Sequence, residues 1–233
     1  MSYESRVKSE AERWARALEK RPSRLQRSSK RFQTKVNDKI PDNVHKVVTE
    51  AVKGMIETAL TTSKYIDRVE VDPEWTFAEK EEKVMELRRK YSRSAALEGA
   101  GTGLGGFWIG LADFPLLLSI KMKFLFDAGQ VYGWQVERYE ERLYLLHIFL
   151  LAFSSDEARA GVKEKLWKWE ELPEEAKQMD WQTLQQEYRD TIDFVKLFQL
   201  LPGVGAVVGF AVNGRMLHHL GETAMQCCRL RIL

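Results

Sequence analysis

Six glycines fall within the twelve positions from Gly99 to Gly110, and most of them recur at intervals of four residues. A four-residue interval places small residues on one face of a helix. Glycine disfavours a helix in water by about 1 kcal/mol relative to alanine, so a helix this rich in glycine needs a neighbour at very close range or an apolar environment. We therefore expect this stretch to pack tightly against another helix through Gly103, Gly105, Gly106 and Gly110.

The same stretch also spells G-x-G-x-x-G at Gly101, Gly103 and Gly106. That spelling marks a dinucleotide site when it follows a strand in a βαβ unit. The residues before it, KYSRSAALE, are typical of a helix, and no Gly-Lys-Ser/Thr follows, as a P-loop would require. A nucleotide site is therefore not supported, and no cofactor is expected.

A second stretch of small residues lies near the C-terminus, where the 18 residues 197–214 carry no charge. Its helix-packing motif consists of Pro202, Gly205, Gly209 and Asn213, the last three at four-residue intervals. An uncharged run of this length is at the lower limit for a membrane-spanning helix, although Pro202 and Asn213 weaken that interpretation. Two alternatives stay open: the two glycine-rich helices pack together in a core, or they insert shallowly into a bilayer.

Apolar residues recur with helical spacing along most of the chain. They form stripes in the segments 3–18, 44–60 and 84–95, whereas residues 143–153 are apolar on nearly all sides, which is typical of a helix inside a core. No run of alternating β-branched residues bounded by turn signals indicates a strand. We predict an all-α fold of about eight helices, with a basic amphipathic helical extension at 1–40 and a single helical domain at 41–233.

Positive charge is concentrated at the N-terminal end. The net charge of +2 divides into +7 for residues 1–40 and −5 for residues 41–233. Because an amphipathic helix with one apolar and one basic face is typical of an anionic lipid surface, we expect a membrane surface or a partner to be contacted here; the alternative is that the apolar face packs on the domain. No nucleic-acid-binding motif accompanies the charge, so nucleic acid is not expected. The predicted contact residues are Arg6, Lys8, Arg13, Trp14, Arg16, Lys20 and Arg24.

The N-terminus begins with charged residues and has no apolar run of signal-peptide length. The two cysteines, Cys227 and Cys228, are adjacent, which is poor geometry for a mutual disulfide on a helix. We therefore expect a cytoplasmic protein, held peripherally at the inner face of the cell membrane.

Three polar residues are candidates for a functional site: Asp113, His218 and Glu222. Asp113 lies inside an apolar run two residues before Pro115, so it either caps a helix that starts there or handles a proton or a substrate. His218 precedes Glu222 by four residues and shares a helical face with it. One histidine and one glutamate do not make a metal site, and no catalytic motif of a known hydrolase is present, so no metal is expected.

The chain resembles the EcsC family, bacterial proteins named after a gene next to those of an ABC-type transporter. The likeness covers nearly the whole chain and rests on these features: Gly105-Gly106, Asp113-x-Pro115, Tyr132-Gly133, Leu201-Pro202-x-x-Gly205-Ala206-x-x-Gly209-x-x-x-Asn213, Gly221, Ala224 and Arg229-x-Arg231. The resemblance implies a role near a transporter and carries over no reaction, cofactor or catalytic residue. We therefore expect a non-enzymatic, peripherally membrane-associated accessory or interaction protein, linked to an ABC-type transporter, its components or secretion. The alternative is a hydrolase or other enzyme acting on a lipid or peptide substrate near the membrane.

Overall fold

The structure, a computed structural model, describes residues 2–18, 50, 53–54, 57–61, 67–104, 114–154, 156–178 and 205–233. Within these residues the chain forms helices and no strand, so the predicted all-α fold is confirmed. The helices are α1 (Tyr3–Ala17), α2 (Phe77–Leu104), α3 (Phe114–Tyr132), α4 (Tyr139–Phe153), α5 (Asp156–Trp167), a 3-10 helix (Trp169–Glu171), α6 (Glu174–Lys177) and α7 (Gly205–Ile232).

The two longest helices, α2 and α7, lie antiparallel against each other. Three contacts define their register: Glu81 pairs with Arg229, Arg88 with Glu222, and Gly214 approaches Ala96. The apolar stripe predicted for α2 is the face that this packing covers, because Val84, Leu87, Tyr91 and Ala95 are all buried. These two helices carry the glycine-rich stretches, and α2 continues into its stretch as far as Leu104.

Helix α4 is the centre of the core, as its composition predicts. Every residue from 142 to 153 is buried, and the helix contacts α3, α5 and α7. Its N-terminal end lies beside the C-terminal end of α7, where Tyr144 donates to the carbonyl of Cys227 at 3.5 Å. Its C-terminal end lies beside the middle of α7, where the His219 ring bonds to the Ala152 carbonyl at 2.9 Å.

Helix α3 ends at Tyr132, directly before Gly133, and this Tyr-Gly pair is one of the features on which the family resemblance rests. Gly133 has φ +96°, a left-handed conformation that glycine adopts without steric cost. The amides of Gly133 and Trp134 donate to the carbonyls of Gln130 and Gly129, each at 2.9 Å, which is the pattern of a Schellman C-cap. This turn directs the chain into α4 and places Trp134 against Tyr144.

Several predicted residues lie outside the described part of the chain: Lys20, Arg24, Gly105, Gly106, Gly110, Asp113 and Pro202. The predicted domain boundary at residue 40 also lies outside it and stays a prediction. Helix α3 begins at Phe114, and the capping role of Asp113 stays a prediction. Among the described residues, no helix combines the length and the hydropathy needed to cross a membrane.

Candidate functional site

Helix α1 packs against α7 and α2. Ser2 caps its first turn by accepting from the amide of Ser5 at 3.2 Å, and its apolar face buries Val7, Ala11 and Ala15. The opposite face is exposed and carries three of the predicted contact residues, Arg6, Arg13 and Arg16. The apolar side of this helix is therefore used by the fold, and its arginines face solvent.

A buried ion cluster fixes α1 to the two long helices. Glu81 of α2 is fully buried and accepts two bonds from the Arg229 guanidinium, from Nε at 2.6 Å and from Nη2 at 2.9 Å. The hydroxyl of Tyr3 donates to the same carboxylate at 2.5 Å, and that of Tyr132 at 3.3 Å. Burial and the bond to Glu81 raise the pKa of Tyr3 to about 12.

Arg231, the second arginine of the family-like C-terminal motif, forms another such cluster. It makes a bidentate pair with Glu141 at 2.7 and 3.1 Å and bonds Glu170 through Nε at 2.8 Å. Its guanidinium lies 4.2 Å from the centre of the Tyr144 ring and 4.9 Å from that of Trp134. Charge pairs and cation–π contacts of this kind stabilise an arginine that is mostly shielded from water. Both arginines of the motif therefore tie helices together.

Trp14, the aromatic residue of the predicted contact set, stacks on Trp167 of α5. The two ring centres are 6.2 Å apart with an interplanar angle of 22°. Trp167 is 37% exposed, and the Lys163 ammonium lies 5.7 Å from the centre of its ring. The patch formed by Trp14, Leu18, Lys163, Trp167 and Lys168 is called the basic aromatic surface.

A cleft of about 390 Å³ opens into this surface, between the end of α1 and the outer side of α5. Leu18 and Trp167 give it apolar walls, and Lys163 and Lys168 are among the cations that line it. Lys168 pairs with Glu164 at 2.9 Å, and Arg16 has Glu12 at 3.9 Å. Apolar surface beside mobile cations is the composition that proteins place at the boundary between water and lipid.

Lys8 differs from the other basic residues of α1. Its ammonium donates to the carbonyl oxygen of Leu233 at 2.5 Å, at the C-terminal end of the chain. Lys8 therefore helps to hold α1 against α7. Its ammonium is less available to an outside partner than the guanidinium of Arg13, for which no partner is found among the described residues.

Within the described structure, no hydrogen bond joins the polar candidates His218 and Glu222, although both interact with the charge of Arg88. Glu222 pairs with Arg88 of α2, whereas His218 is exposed. Burial, with the charges of Arg88 and His219, lowers the pKa of His218. The neighbouring His219 bonds to α4, so the three side chains serve different contacts.

The glycine motif is only partly described. Gly103 lies in α2, and Gly205 and Gly209 lie in α7. Asn213 is buried, and its amide nitrogen has no hydrogen-bond partner among the described residues. Two other glycines of α7 face α2: a Cβ at Gly221 would lie 2.5 Å from Cδ of Arg88, and one at Gly214 would lie 3.4 Å from Cβ of Ala96. Close packing is thus present at Gly214 and Gly221, whereas the role of the predicted motif stays a prediction.

Sequence reasoning missed Glu81, Asp127 and Lys121, all buried. A signal existed for Glu81, which falls on the apolar stripe of α2, four residues after Phe77 and three before Val84. Asp127 accepts from the Tyr91 hydroxyl at 2.6 Å, and burial lowers the pKa of Lys121 to about 7.

His147 is a buried histidine of α4 that bonds to a carbonyl of its own helix. Its Nδ1 lies 2.8 Å from the Leu143 carbonyl oxygen, so Nδ1 carries the proton. Burial lowers its pKa to about 4. In the described part of the chain, no group of three His, Cys, Asp or Glu side chains is arranged to hold a metal ion.

Comparison with known proteins places these features in a family. The model of the EcsC protein family matches residues 5–233. Protein EcsC of Bacillus subtilis (strain 168) is 48% identical over 224 residues, which cover 96% of this chain and 94% of that protein. Uncharacterized protein YdbA of the same strain is 28% identical over 149 residues, covering 62% of this chain and 55% of that protein. No solved structure matches. Because the family match takes in nearly the whole chain, from the start of α1 to the C-terminal arginines, the protein belongs to the EcsC protein family.

Proposed function

We propose that this protein is a peripheral membrane protein of the cytoplasm that docks on anionic lipid through its basic aromatic surface and the basic segment that follows it. It acts there as a non-enzymatic accessory or interaction protein. The observation that carries the proposal is the Trp14–Trp167 stack, which joins α1 to α5 beside a cleft lined by Lys163 and Lys168.

The charge distribution supports this location of the docking surface. Leu18, the last described residue of the N-terminal segment, lines the cleft. The next 22 residues, 19–40, carry a net charge of +6, whereas residues 1–18 carry only +1. The most basic part of the chain therefore begins at the edge of the basic aromatic surface.

The packing of α1 changes how the membrane contact is made. Because Val7, Ala11 and Ala15 are buried against the fold, the helix does not offer its apolar face to lipid. Binding then depends on cations, each of which contributes about 1 kcal/mol near an anionic surface, and on shallow contact by Trp167 and Leu18. Such binding is sensitive to salt, since the screening length falls from about 10 Å at 0.1 M to about 3 Å at 1 M.

The test is co-sedimentation with phosphatidylcholine vesicles that contain or lack phosphatidylglycerol. The wild-type protein should sediment with the anionic vesicles only, and 1 M salt should release it. The triple substitution Arg16→Gln, Lys20→Gln, Arg24→Gln should weaken binding by about tenfold or more, given three cations at about 1 kcal/mol each.

A matched control removes the same charge elsewhere. Lys53, Arg68 and Arg89 are exposed and distant in sequence from the basic segment, so their joint replacement by glutamine should leave binding nearly unchanged. If the two triple variants lost vesicle binding equally, the binding would depend on net charge alone, which would contradict the proposed surface. Deleting residues 1–40 is a poorer experiment, because it removes α1 and uncovers the Glu81 cluster.

The non-enzymatic part of the proposal is supported by the use of the charged residues. Four charged residues form ion pairs that join helices: Arg229 pairs with Glu81, and Arg231 pairs with Glu141.

The proposed partner is a component of an ABC-type transporter or of the secretion apparatus, as the family resemblance implies. Affinity purification from membranes, comparing wild type with Trp167→Ala, tests it: a partner retained by the wild type and lost from the variant is the expected result. Turnover of a lipid or peptide by the purified protein would contradict the proposal.

A further inference from the structure

A second cavity, of about 460 Å³, lies where the end of α4, the start of α5 and the middle of α7 meet. We infer that this cavity binds the phosphate head and the first part of the chain of a single-chain amphiphile, an alkyl or acyl phosphate. The inference goes beyond membrane docking, because it concerns one molecule held in a pocket and not a surface resting on a bilayer.

The cavity has the size and composition of a small-molecule site. Ligand pockets commonly measure about 300–1,000 Å³ and combine apolar walls with a few convergent polar groups. The walls here include Phe153, Val212 and Met216. The polar groups are Arg159, Arg215 and His219, and no acidic side chain of the described residues lines the cavity. An apolar wall with a cationic end matches a ligand with an apolar tail and an anionic head.

Two of the three polar side chains, Arg159 and His219, are held in place by the end of α4. Arg159 donates through Nη2 to the Ser154 carbonyl at 2.9 Å. His219 bonds through Nε2 to the Ala152 carbonyl at 2.9 Å, and because a carbonyl only accepts, Nε2 carries the proton. These contacts fix both side chains on the rim, so that little conformational freedom is lost when an anion binds.

Arg215 supplies the charge that the fold does not use. It is exposed on α7, lines the cavity, and makes no ion pair or hydrogen bond with the described residues. Arg159 and Arg215 offer two guanidinium groups, whose planar donors match phosphate oxygens in pairs. A phosphate has enough acceptor oxygens for paired bonds from both guanidinium groups, whereas a carboxylate has only two oxygens, which favours phosphate.

The cavity is distinct from the basic aromatic surface, although Arg159 lines both this cavity and the cleft beside Trp167. Arg215 and the apolar wall belong to the cavity alone. Arg215→Ala therefore changes the cavity without changing Trp14, Arg16 or Trp167, so the two sites can be tested separately.

The experiment is isothermal titration calorimetry of the full chain with dodecyl phosphate, below its micelle concentration and without vesicles. Saturable binding of one molecule is expected for the wild type. Arg215→Ala should weaken it by about tenfold or more, because one of the two guanidinium groups is lost. Arg89→Ala, which removes an exposed arginine of α2, should bind as the wild type does. The triple variant Arg16→Gln, Lys20→Gln, Arg24→Gln should also bind dodecyl phosphate normally, even if it no longer binds vesicles.

Several outcomes would overturn the inference. Equal affinity of Arg215→Ala and the wild type for dodecyl phosphate would show that the ligand does not bind in this cavity. Absence of binding to the wild type would show that the protein does not bind this class of ligand. Inorganic phosphate binding as tightly as dodecyl phosphate would leave an anion site without an apolar part. Dodecyl maltoside binding as tightly would leave an apolar site without charge recognition, and dodecanoate binding as tightly would contradict the preference for phosphate.

Discussion

At the scale of single residues, the buried Glu81 links its own helix, α2, to three other helices. Its carboxylate receives donors from three other helices: Tyr3 of α1, Tyr132 of α3 and Arg229 of α7. A buried carboxylate needs such partners, because an ion taken out of water without them is strongly disfavoured. The cluster therefore fixes where α1 sits, and with it the Trp14 side of the basic aromatic surface.

Replacing Glu81 by glutamine should destabilise the protein by about 3 kcal/mol, because it leaves the Arg229 charge buried without its counter-ion. Urea unfolding followed by circular dichroism measures the change. Glu86→Gln is the control, since Glu86 is an exposed residue of the same helix paired with Lys83, and its loss should change stability by less than about 0.5 kcal/mol. Similar effects of the two substitutions would show that the cluster is not a structural centre.

His147 should make stability depend on pH in mildly acidic solution. Burial lowers its pKa to about 4 from the ordinary value of 6.5, so between these values the unfolded chain binds a proton that the folded chain does not. Stability contributed by the neutral ring is complete above pH 6.5 and is lost as pH falls toward 4, by at most about 1.4 kcal/mol per pH unit. His147→Gln should flatten the profile between pH 6.5 and 5 in unfolding experiments. An unchanged slope in the variant would assign the pH dependence to other groups.

At the scale of helices, the contact between α2 and α7 depends on small residues. A Cβ at Gly221 would meet Arg88 at 2.5 Å and Phe124 at 3.3 Å, whereas one at Gly161, an exposed glycine of α5, would meet nothing within 4 Å. Gly221→Ala should therefore destabilise by about 1–3 kcal/mol through overpacking. Gly161→Ala should stabilise by up to about 1 kcal/mol through helix propensity. Thermal unfolding of both variants measures these changes in stability. Stabilisation by Gly221→Ala would contradict the close approach of the two helices.

Much of the helical framework could be predicted from periodicity. The stripes of α1 and α2 and the uniformly apolar α4 all identify the correct helices, because burial imposes the 3.6-residue period on sequence. Close packing through the motif glycines stays a prediction, because the close approaches between α2 and α7 in the described residues are at Gly214 and Gly221. The short 3-10 helix and α6 carry no comparable period, since three or four residues make no stripe.

The partners of the charged residues could not be predicted in the same way. Glu81 and Arg229 are 148 residues apart, and one sequence does not show which distant helices meet. A charged residue within an apolar stripe, as Glu81 is, indicates burial without naming its counter-ion. Arg229 and Arg231 could be identified as members of the family-like motif, but their roles as clamps depend on tertiary packing.

At the scale of the whole molecule, the sequence locates the basic segment, and the structure shows the surroundings of Leu18, the last described residue before that segment. The pairing of Trp14 with Trp167 joins residues that are far apart in the sequence, so the basic aromatic surface exists only in the folded protein. The packed apolar face of α1 favours surface docking over insertion of that helix. The glycine-rich ends of α2 and α7 are the competing candidates for lipid contact, and exposed Leu97 lies beside the first of them.

The central claim is tested most directly by measuring which of two surface positions comes into contact with lipid. An environment-sensitive fluorophore can be attached at Ala160→Cys, an exposed position in the cleft, or at Leu97→Cys, which is 66% exposed near the glycine-rich stretch. The native Cys227 and Cys228 are buried, so labelling is directed to the introduced thiol. On addition of phosphatidylglycerol vesicles, the account predicts a blue shift and a gain in intensity at position 160 and little change at position 97. A response at position 97 with none at position 160 would contradict docking through the basic aromatic surface.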